Sequence, residues 1–261
     1  MIKAYLQDDK LNYTSIEYER VDFYGGEFCV KIDDDEYDDK DNICVYFTFE
    51  KTDEVLELLF LCDSLKSFGC TLYNLFIDYV PFSRQDRVEP GESFSLKVFA
   101  NLINGLQFKR VTIKDPHSDV TAALINNCEI IHQHDIFQPF LKDKKDFWLV
   151  SPDAGALKKV YKLAEWVDSL GVVECSKIRD LKTGQITGTI VHADDLMSSD
   201  CYIVDDMCSG GATFIAIAKE LKKRNAGRII LMVTHGLFTR PLNYFEGIFD
   251  EIYTNKGKVY G

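Results

Sequence analysis

The order of apolar segments predicts an α/β protein built from two similar halves, each a mostly parallel sheet flanked by helices. Three observations carry this. Apolar β-prone runs alternate with amphipathic ones between residues 43 and 113. The same alternation restarts at Phe147. A polar run, 142–146, separates the two stretches. Strands that alternate with helices pair in parallel. A chain of 261 residues accommodates two domains of roughly 130 residues, each able to bury a core. The expected domains are 1–143 and 144–261.

Taken in order, Phe28–Ile32 and Ile43–Phe47 read as strands. Between them residues 33–41 carry seven carboxylates in nine positions, which reads as a solvated hairpin tip because like charges repel. Residues 53–68 form an amphipathic helix with an acidic first turn, and Gly69 stops it. Leu72–Ile77 is a buried strand, 92–104 a helix capped by Ser93 or Ser95, and Arg110–Ile113 the next strand. In the second half Phe147–Val150 is a strand, 155–170 a helix, Val172–Cys175 a strand and Cys201–Val204 another. A helix over about 213–224 and a strand over Arg228–Thr234 complete the pattern.

Composition excludes several classes. With 46% hydrophobic and 28% charged residues the chain is neither disordered nor fibrous. It has no run of about 18 apolar residues, so no membrane span is expected. The net charge of −12 argues against a nucleic-acid partner. The eight cysteines are scattered, with no C-x-x-C pair and no zinc spacing. The polar, acidic start MIKAYLQDDKLNY is neither a secretory signal nor a transit peptide. Reduced buried thiols and a cytoplasmic location are therefore expected.

The sharpest local signal is the run Asp205-Asp206-Met207-Cys208-Ser209-Gly210-Gly211-Ala212-Thr213 behind an apolar strand. Small residues let backbone N–H groups approach an anion, and a helix N-terminus adds partial positive charge. The two carboxylates repel a phosphate but accept hydrogen bonds from sugar hydroxyls. A phosphorylated ribose satisfies both halves of the run. The plainer alternative is a strand–turn–helix capped by Ser209. The run is neither a Walker loop nor a dinucleotide fingerprint.

This run resembles the phosphoribosyl-diphosphate loop of type I phosphoribosyltransferases. The chain as a whole is similar to one branch of that superfamily, ribose-phosphate pyrophosphokinase. Val80–Arg87 resembles the family's Y-A-R-Q-D-R signature, and Pro90–Lys97 with Ala100-Asn101-Leu102 its P-G-E-P-I-S-A-K…A-N-L. Asp115–Ser118 resembles D-L-H-[AS], and Val150–Gly155 V-S-P-D-x-G. Lys177-Ile178-Arg179 resembles K-x-R, and Thr234–Phe238 T-H-G-L-F. The order agrees from about residue 20 to 256.

The resemblance implies two tandem type I phosphoribosyltransferase-like domains, the first with ATP-binding elements and the second with the catalytic and ribose-phosphate loops. It implies transfer of the β,γ-diphosphoryl group of magnesium-ATP to the C1 hydroxyl of ribose 5-phosphate, with AMP leaving. It further implies Lys177 and Arg179 as the catalytic cations; Phe23, Glu27, Arg84, Gln85 and Asp86 as ATP contacts; and His117 and Asp153 as Mg2+ contacts. Asp205, Asp206 and Ser209 to Thr213 (Ser209, Gly210, Gly211, Ala212, Thr213) would hold the ribose phosphate. His132 and His134 match no motif. The family's adenine loop, F-S-D-G-E, reads Phe23-Tyr24-Gly25-Gly26-Glu27 here, and a neighbouring subunit often supplies it. A homodimer or larger homo-oligomer is therefore expected.

Two departures matter. The family's loop usually reads D-D-M-x-D-T-[AG]-G-T, so an acid is replaced by Ser209 and a hydroxyl is lost at Gly210. Smaller side chains leave room for a larger acceptor such as ADP-ribose, and both acceptors stay open. The family also continues for some tens of residues beyond the segment matching Phe249–Asn255, so an oligomer smaller than the usual hexamer, with little ADP regulation, is expected. A phosphoribosyltransferase and a non-catalytic regulatory homologue are competing readings. The first does not need Arg84-Gln85, His117 and Lys177/Arg179 together, and the second usually loses the cationic loop, whereas Lys177 and Arg179 remain here.

Overall fold

The computed structural model describes residues 1–8, 12–32, 42–179 and 186–261, of which 179, 186 and 187 by backbone alone. The acidic run 33–41 lies outside them. The chain divides into two compact units, Met1–Ile131 and His132–Gly261.

The first unit contains β1 (Ile2–Gln7), β2 (Tyr13–Ile16), β3 (Tyr18–Asp22), β4 (Phe28–Ile32), β5 (Asn42–Phe47), α1 (Asp53–Ser67), β6 (Thr71–Ile77), α2 (Ser95–Gly105), β7 (Arg110–Lys114), α3 (Asp119–Leu124) and β8 (Cys128–Ile131). Its main sheet has the order β2-β1-β5-β6-β7-β8. Strands β5 to β8 run parallel, joined by helical crossovers, and β1 pairs antiparallel at their edge. Helix α1 buries Leu58, Leu61, Cys62 and Leu65, the 3–4 spacing of one helix face. It ends where sequence placed the stop. Gly69, at φ 80°, donates its N–H to Lys66 O at 2.9 Å, and Cys70 N–H reaches Leu65 O at 3.3 Å. That pair of bonds closes a Schellman motif.

Helix α2 buries Leu96, Phe99, Ala100 and Ile103. Its expected serine cap is absent. Phe94 occupies the cap position, and Ser93 and Ser95 bond each other through their hydroxyls at 2.9 Å. Strands β3 and β4 form a separate two-stranded sheet. It is tied to α1 by Arg20, which meets Asp53 at 3.0 Å and Glu57 at 3.1 Å and lies 3.9 Å over the Phe28 ring.

The second unit contains α4 (Gln133–Leu141), β9 (Phe147–Ser151), α5 (Leu157–Ala164), β10 (Gly171–Arg179), β11 (Ile186–Val191), β12 (Asp200–Cys208), α6 (Ala212–Lys223), β13 (Ile229–Gly236), a 3-10 turn (Leu242–Phe245), β14 (Glu251–Thr254) and β15 (Gly257–Tyr260). Its sheet has the order β11-β10-β9-β12-β13-β14-β15, with β10-β9-β12-β13-β14 parallel and antiparallel strands at both edges. Strand order reverses at β9: the chain steps outward to β10 and then returns to the other side as β12.

Besides the cap of α2, the domain division and two elements differ from the sequence reading. The division falls at 131/132 rather than 143/144, because α4 belongs to the second core: Phe137 and Leu141 pack with Phe147, Leu149, Val160 and Leu163. Strand β12 continues through Asp205–Cys208 because β13 extends alongside it, with Met207 opposite His235. Helix α5 ends at Ala164, where Trp166 N–H returns to Leu163 O at 2.9 Å.

All eight cysteines are free, as expected of reduced thiols. Burial pushes Cys62, Cys175, Cys201 and Cys208 up to about 12, so they stay protonated and unreactive at neutral pH. No helix among the described residues is long and apolar enough to cross a membrane.

The α4 assignment is testable. Phe137→Ala removes a fully buried ring and should cost about 3–5 kcal/mol in urea unfolding. Hydrogen-exchange protection should fall in β9 and α5. Loss of protection confined to the first sheet would contradict the assignment.

Candidate active site

In open parallel sheets, ligands bind beyond the carboxyl ends of the strands where strand order reverses. In the second unit that place is the crevice between the ends of β9 and β12. The sequence puts charged residues there in both segments. β9 ends at Ser151 and leads into Pro152-Asp153; β12 carries Asp205 and Asp206 near its end.

Asp153 is held from two sides. One carboxylate oxygen accepts the N–H groups of Gly155 at 2.9 Å and Ala156 at 3.2 Å. The other accepts the Lys177 ammonium at 2.5 Å. Ser151 fixes the turn by donating its hydroxyl to Asp153 O at 3.0 Å. Burial opposes ionisation of Asp153, yet the Lys177 ammonium and the two N–H donors outweigh it and hold the carboxyl below its ordinary range. Lys177 sits on β10, opposite Thr189 of β11. Arg179 ends β10.

Asp205 has the opposite environment. Burial first, and then the neighbouring Asp206 carboxylate, push it well above the usual carboxylate range, and Asp153 adds to the push. Asp206 is buried, with Lys159 Nζ of α5 at 3.9 Å. Asp153, Lys177, Asp205 and Asp206 therefore form one electrostatic cluster. Lys159 lies at its edge, beside Asp206.

Beyond Cys208 the chain turns through Ser209 and Gly210 into α6. Gly211, not Ser209, is the N-cap, and no side chain caps the helix. Gly211 has φ +76°, and a Cβ there would lie 2.4 Å from the Phe245 ring, so only glycine fits. The first helical N–H to return to the loop is Ile215, on Gly211 O at 3.0 Å. The N–H groups before it are the open donors of a helix start, suited to an anion. The loop is braced from β13, with Leu237 N–H donating to Cys208 O at 2.9 Å and Thr239 N–H to Ser209 O at 3.2 Å. Thr213 lies in the first turn of α6, and Ala212 opens it.

The remaining candidates lie in the first unit. Arg84, Gln85 and Asp86 occupy the loop after β6, with Arg84 and Gln85 exposed. His117 is exposed in the turn after β7. Both loops leave the carboxyl edge of one sheet, and Lys114 at the end of β7 pairs with Asp78 just past β6. Phe23 and Glu27 sit elsewhere, on the separate two-stranded sheet. Phe23 N–H donates to Glu27 O at 2.7 Å, closing an exposed loop at the tip of the β3–β4 hairpin. His132 precedes α4, its N–H bonded to Asp135 at 3.1 Å, and His134 stacks between His132 and Trp166.

Sequence reasoning missed Lys159, Thr239 and Phe245. Lys159 has a signal only as a cation on a helix beside the crevice. Thr239 and Phe245 lack any local signal, since they reach the loop through the tertiary path of β13.

Residues 7–106 match the N-terminal domain of ribose phosphate pyrophosphokinase. A ribose-phosphate pyrophosphokinase of Pyrococcus furiosus is 30% identical over 200 residues, covering 75% of this chain and 70% of the relative. One of Mycoplasma pneumoniae is 30% identical over 203 residues, 74% of this chain and 61% of the relative. The chain thus spans less than two thirds of that relative's length. The crystal structure of phosphoribosylpyrophosphate synthetase from Mycobacterium smegmatis superposes with a TM-score of 0.78 over 94% of this chain and 82% of that one, at 21% identity. That likeness shows a shared α/β fold. Together the relatives and the order of motifs establish that the chain belongs to the ribose-phosphate pyrophosphokinase family.

Proposed function

We propose that the protein is an ATP-dependent pyrophosphokinase that transfers the β,γ-diphosphoryl group of ATP to the C1 hydroxyl of ribose 5-phosphate. The observation that carries this reading is the cluster at the strand-order reversal. There an ion-paired Asp153–Lys177 adjoins two carboxylates and the open N-terminus of α6. The relatives' names support the same chemistry.

In this reading Asp205 and Asp206 accept hydrogen bonds from the ribose hydroxyls. The N–H groups of Ser209 to Thr213 hold the 5-phosphate. The C1 oxygen bonds to the β-phosphorus, the bond from that phosphorus to the α–β bridging oxygen breaks, and AMP departs with the oxygen and its electron pair. The hydroxyl proton passes to solvent. Such transfers need positioning and charge neutralisation more than covalent assistance. Lys177 and Arg179 supply positive charge to the migrating group. Arg84, Gln85 and Asp86 engage ATP, and the exposed Phe23–Glu27 loop meets adenine of a neighbouring copy, which makes the protein a homo-oligomer.

Magnesium fits this donor set in one way. Among the described residues no three metal-ligating side chains cluster to form a cage. Both oxygens of Asp153 already have partners. Magnesium keeps most of its waters and usually arrives on nucleotide phosphates, needing one or two protein groups. In the second unit Asp153 would contact it, directly or through water; in the first unit His117 is the candidate for such a contact. When bound, the ion neutralises the diphosphoryl oxygens.

A second acceptor, ADP-ribose, is favoured by Gly210. Its φ is not positive, and a Cβ there would meet nothing nearer than Thr239 Oγ1 at 3.7 Å. Unlike Gly211, it is not demanded by the backbone, so its missing side chain is free room beside the phosphate.

Mass spectrometry of products from magnesium-ATP with each acceptor tests the reading. AMP and a diphosphorylated sugar should form, and Lys177→Ala should lower the rate about 100-fold or more by removing charge stabilisation. Absence of AMP with both acceptors would contradict the proposal, and so would consumption of a preformed sugar diphosphate with a base.

Asp205 yields a stability prediction. Its carboxyl ionises near 3.9 in the unfolded chain and well above that in the fold. Its contribution is therefore best at low pH and is lost as pH rises from about 4 towards the raised folded value. Asp205→Asn should melt higher than the parent at pH 7.5, lose that difference below pH 4, and bind the sugar phosphate more weakly. A lower melting temperature at pH 7.5 would contradict the electrostatic account.

A further inference from the structure

We propose that Arg240, seated on Tyr244, grips a second phosphoryl group, so that the site which takes ribose 5-phosphate also takes a ribose carrying a diphosphate ester at C5 and depends on Arg240 for that acceptor alone. The proposal rests on the reading above for the position of the 5-phosphate.

The guanidinium of Arg240 lies 4.5 Å over the ring of Tyr244. Both side chains are exposed, yet their backbone is tied to the phosphate loop at two points. Just before Arg240, Thr239 N–H bonds Ser209 O at 3.2 Å, and its hydroxyl is the neighbour facing Gly210. Just after Tyr244, Phe245 packs against Gly211, with the two rings edge-on at 5.6 Å. The chain is therefore tied to the loop on either side of the Arg240–Tyr244 pair, through Thr239 at Ser209 and Gly210 and through Phe245 at Gly211.

The contact recorded for the Arg240 guanidinium is the Tyr244 ring. Among the described residues no carboxylate pairs with it, although the chain holds 42 acidic side chains against 30 basic ones. Stacking on Tyr244 fixes the plane of the guanidinium and leaves its N–H fork free. That fork matches two phosphate oxygens. The first phosphate is already met by the N–H groups of the helix start, and an arginine one residue beyond Thr239 suits a second phosphoryl group attached to it. A ribose 5-monophosphate offers that arginine nothing further.

The experiment is calorimetric titration of the full chain with ribose 5-phosphate and with ADP-ribose, using the parent, R240Q and R240K. AMP release from magnesium-ATP is followed in parallel. R240Q should weaken ADP-ribose binding about tenfold to 100-fold, the loss expected of a charged hydrogen bond. It should leave ribose 5-phosphate within about twofold, and R240K should fall between. Melting temperatures should not change, since the side chain is exposed. Equal effects on both acceptors, no effect on either, or failure of the parent to bind ADP-ribose would overturn the assignment. The transfer reading fails separately. Selective loss of ADP-ribose binding with no AMP release from the parent would uphold Arg240 and overturn the transfer. AMP release with ribose 5-phosphate that is indifferent to R240Q on both acceptors would do the reverse.

Discussion

The reversal of strand order at β9 is the constraint on which the second unit depends. Because the chain steps from β9 to β10 and then returns to β12, two neighbouring parallel strands end without a crossover covering the gap between them. Asp153, at the end of β9, meets Lys177 from β10 at 2.5 Å, while Asp205 and Asp206 arrive from β12. No segment of local sequence holds all four; the sheet brings them together. The first unit has no such reversal among its parallel strands, since β5 to β8 follow one another in order. Its candidates Arg84, Gln85, Asp86 and His117 lie in separate loops along one edge, and Phe23 and Glu27 on the β3–β4 hairpin.

The crevice carries an electrostatic cost. Burial and the neighbouring Asp206 push the Asp205 carboxyl well above its ordinary range, while Lys177 and two backbone donors hold that of Asp153 below it. Two carboxyl groups a few residues from two strand ends are thus driven in opposite directions by what surrounds them, a pattern that marks functional sites more often than structural ones. Hydroxyl donors brought to Asp205 and Asp206 lower that cost, and the open N–H groups at the start of α6 suit negative charge.

Much of this was legible in the sequence, and for identifiable reasons. The strand–helix alternation, the stop at Gly69 and the run from Asp205 to Thr213 are local signals, and the structure realises each as an element or a turn. What the sequence left out depends on partners distant along the chain. β12 extends past Val204 only because β13 lies beside it. Gly211 caps α6 where Ser209 had the better side chain for it, since Phe245 fills the space a Cβ would need. Helix α4 falls on the far side of the expected boundary because an apolar stripe such as Phe137 and Leu141 reads the same whichever sheet it covers. The first three strands escaped notice because their exposed faces mix aromatic and charged residues, as in the pairing of Tyr5 with Tyr13 and Tyr46.

The central claim is that the acceptor's phosphate sits at the start of α6, in the loop braced by β13. The most direct measurement is a relaxation-optimised NMR titration of the labelled chain with ribose 5-phosphate, following backbone amides. The account predicts that the amides of Ser209 to Thr213 shift together and saturably, with those of Asp205 and Asp206 following. Unmoved amides in that loop, with saturable shifts confined to the first unit, would contradict it.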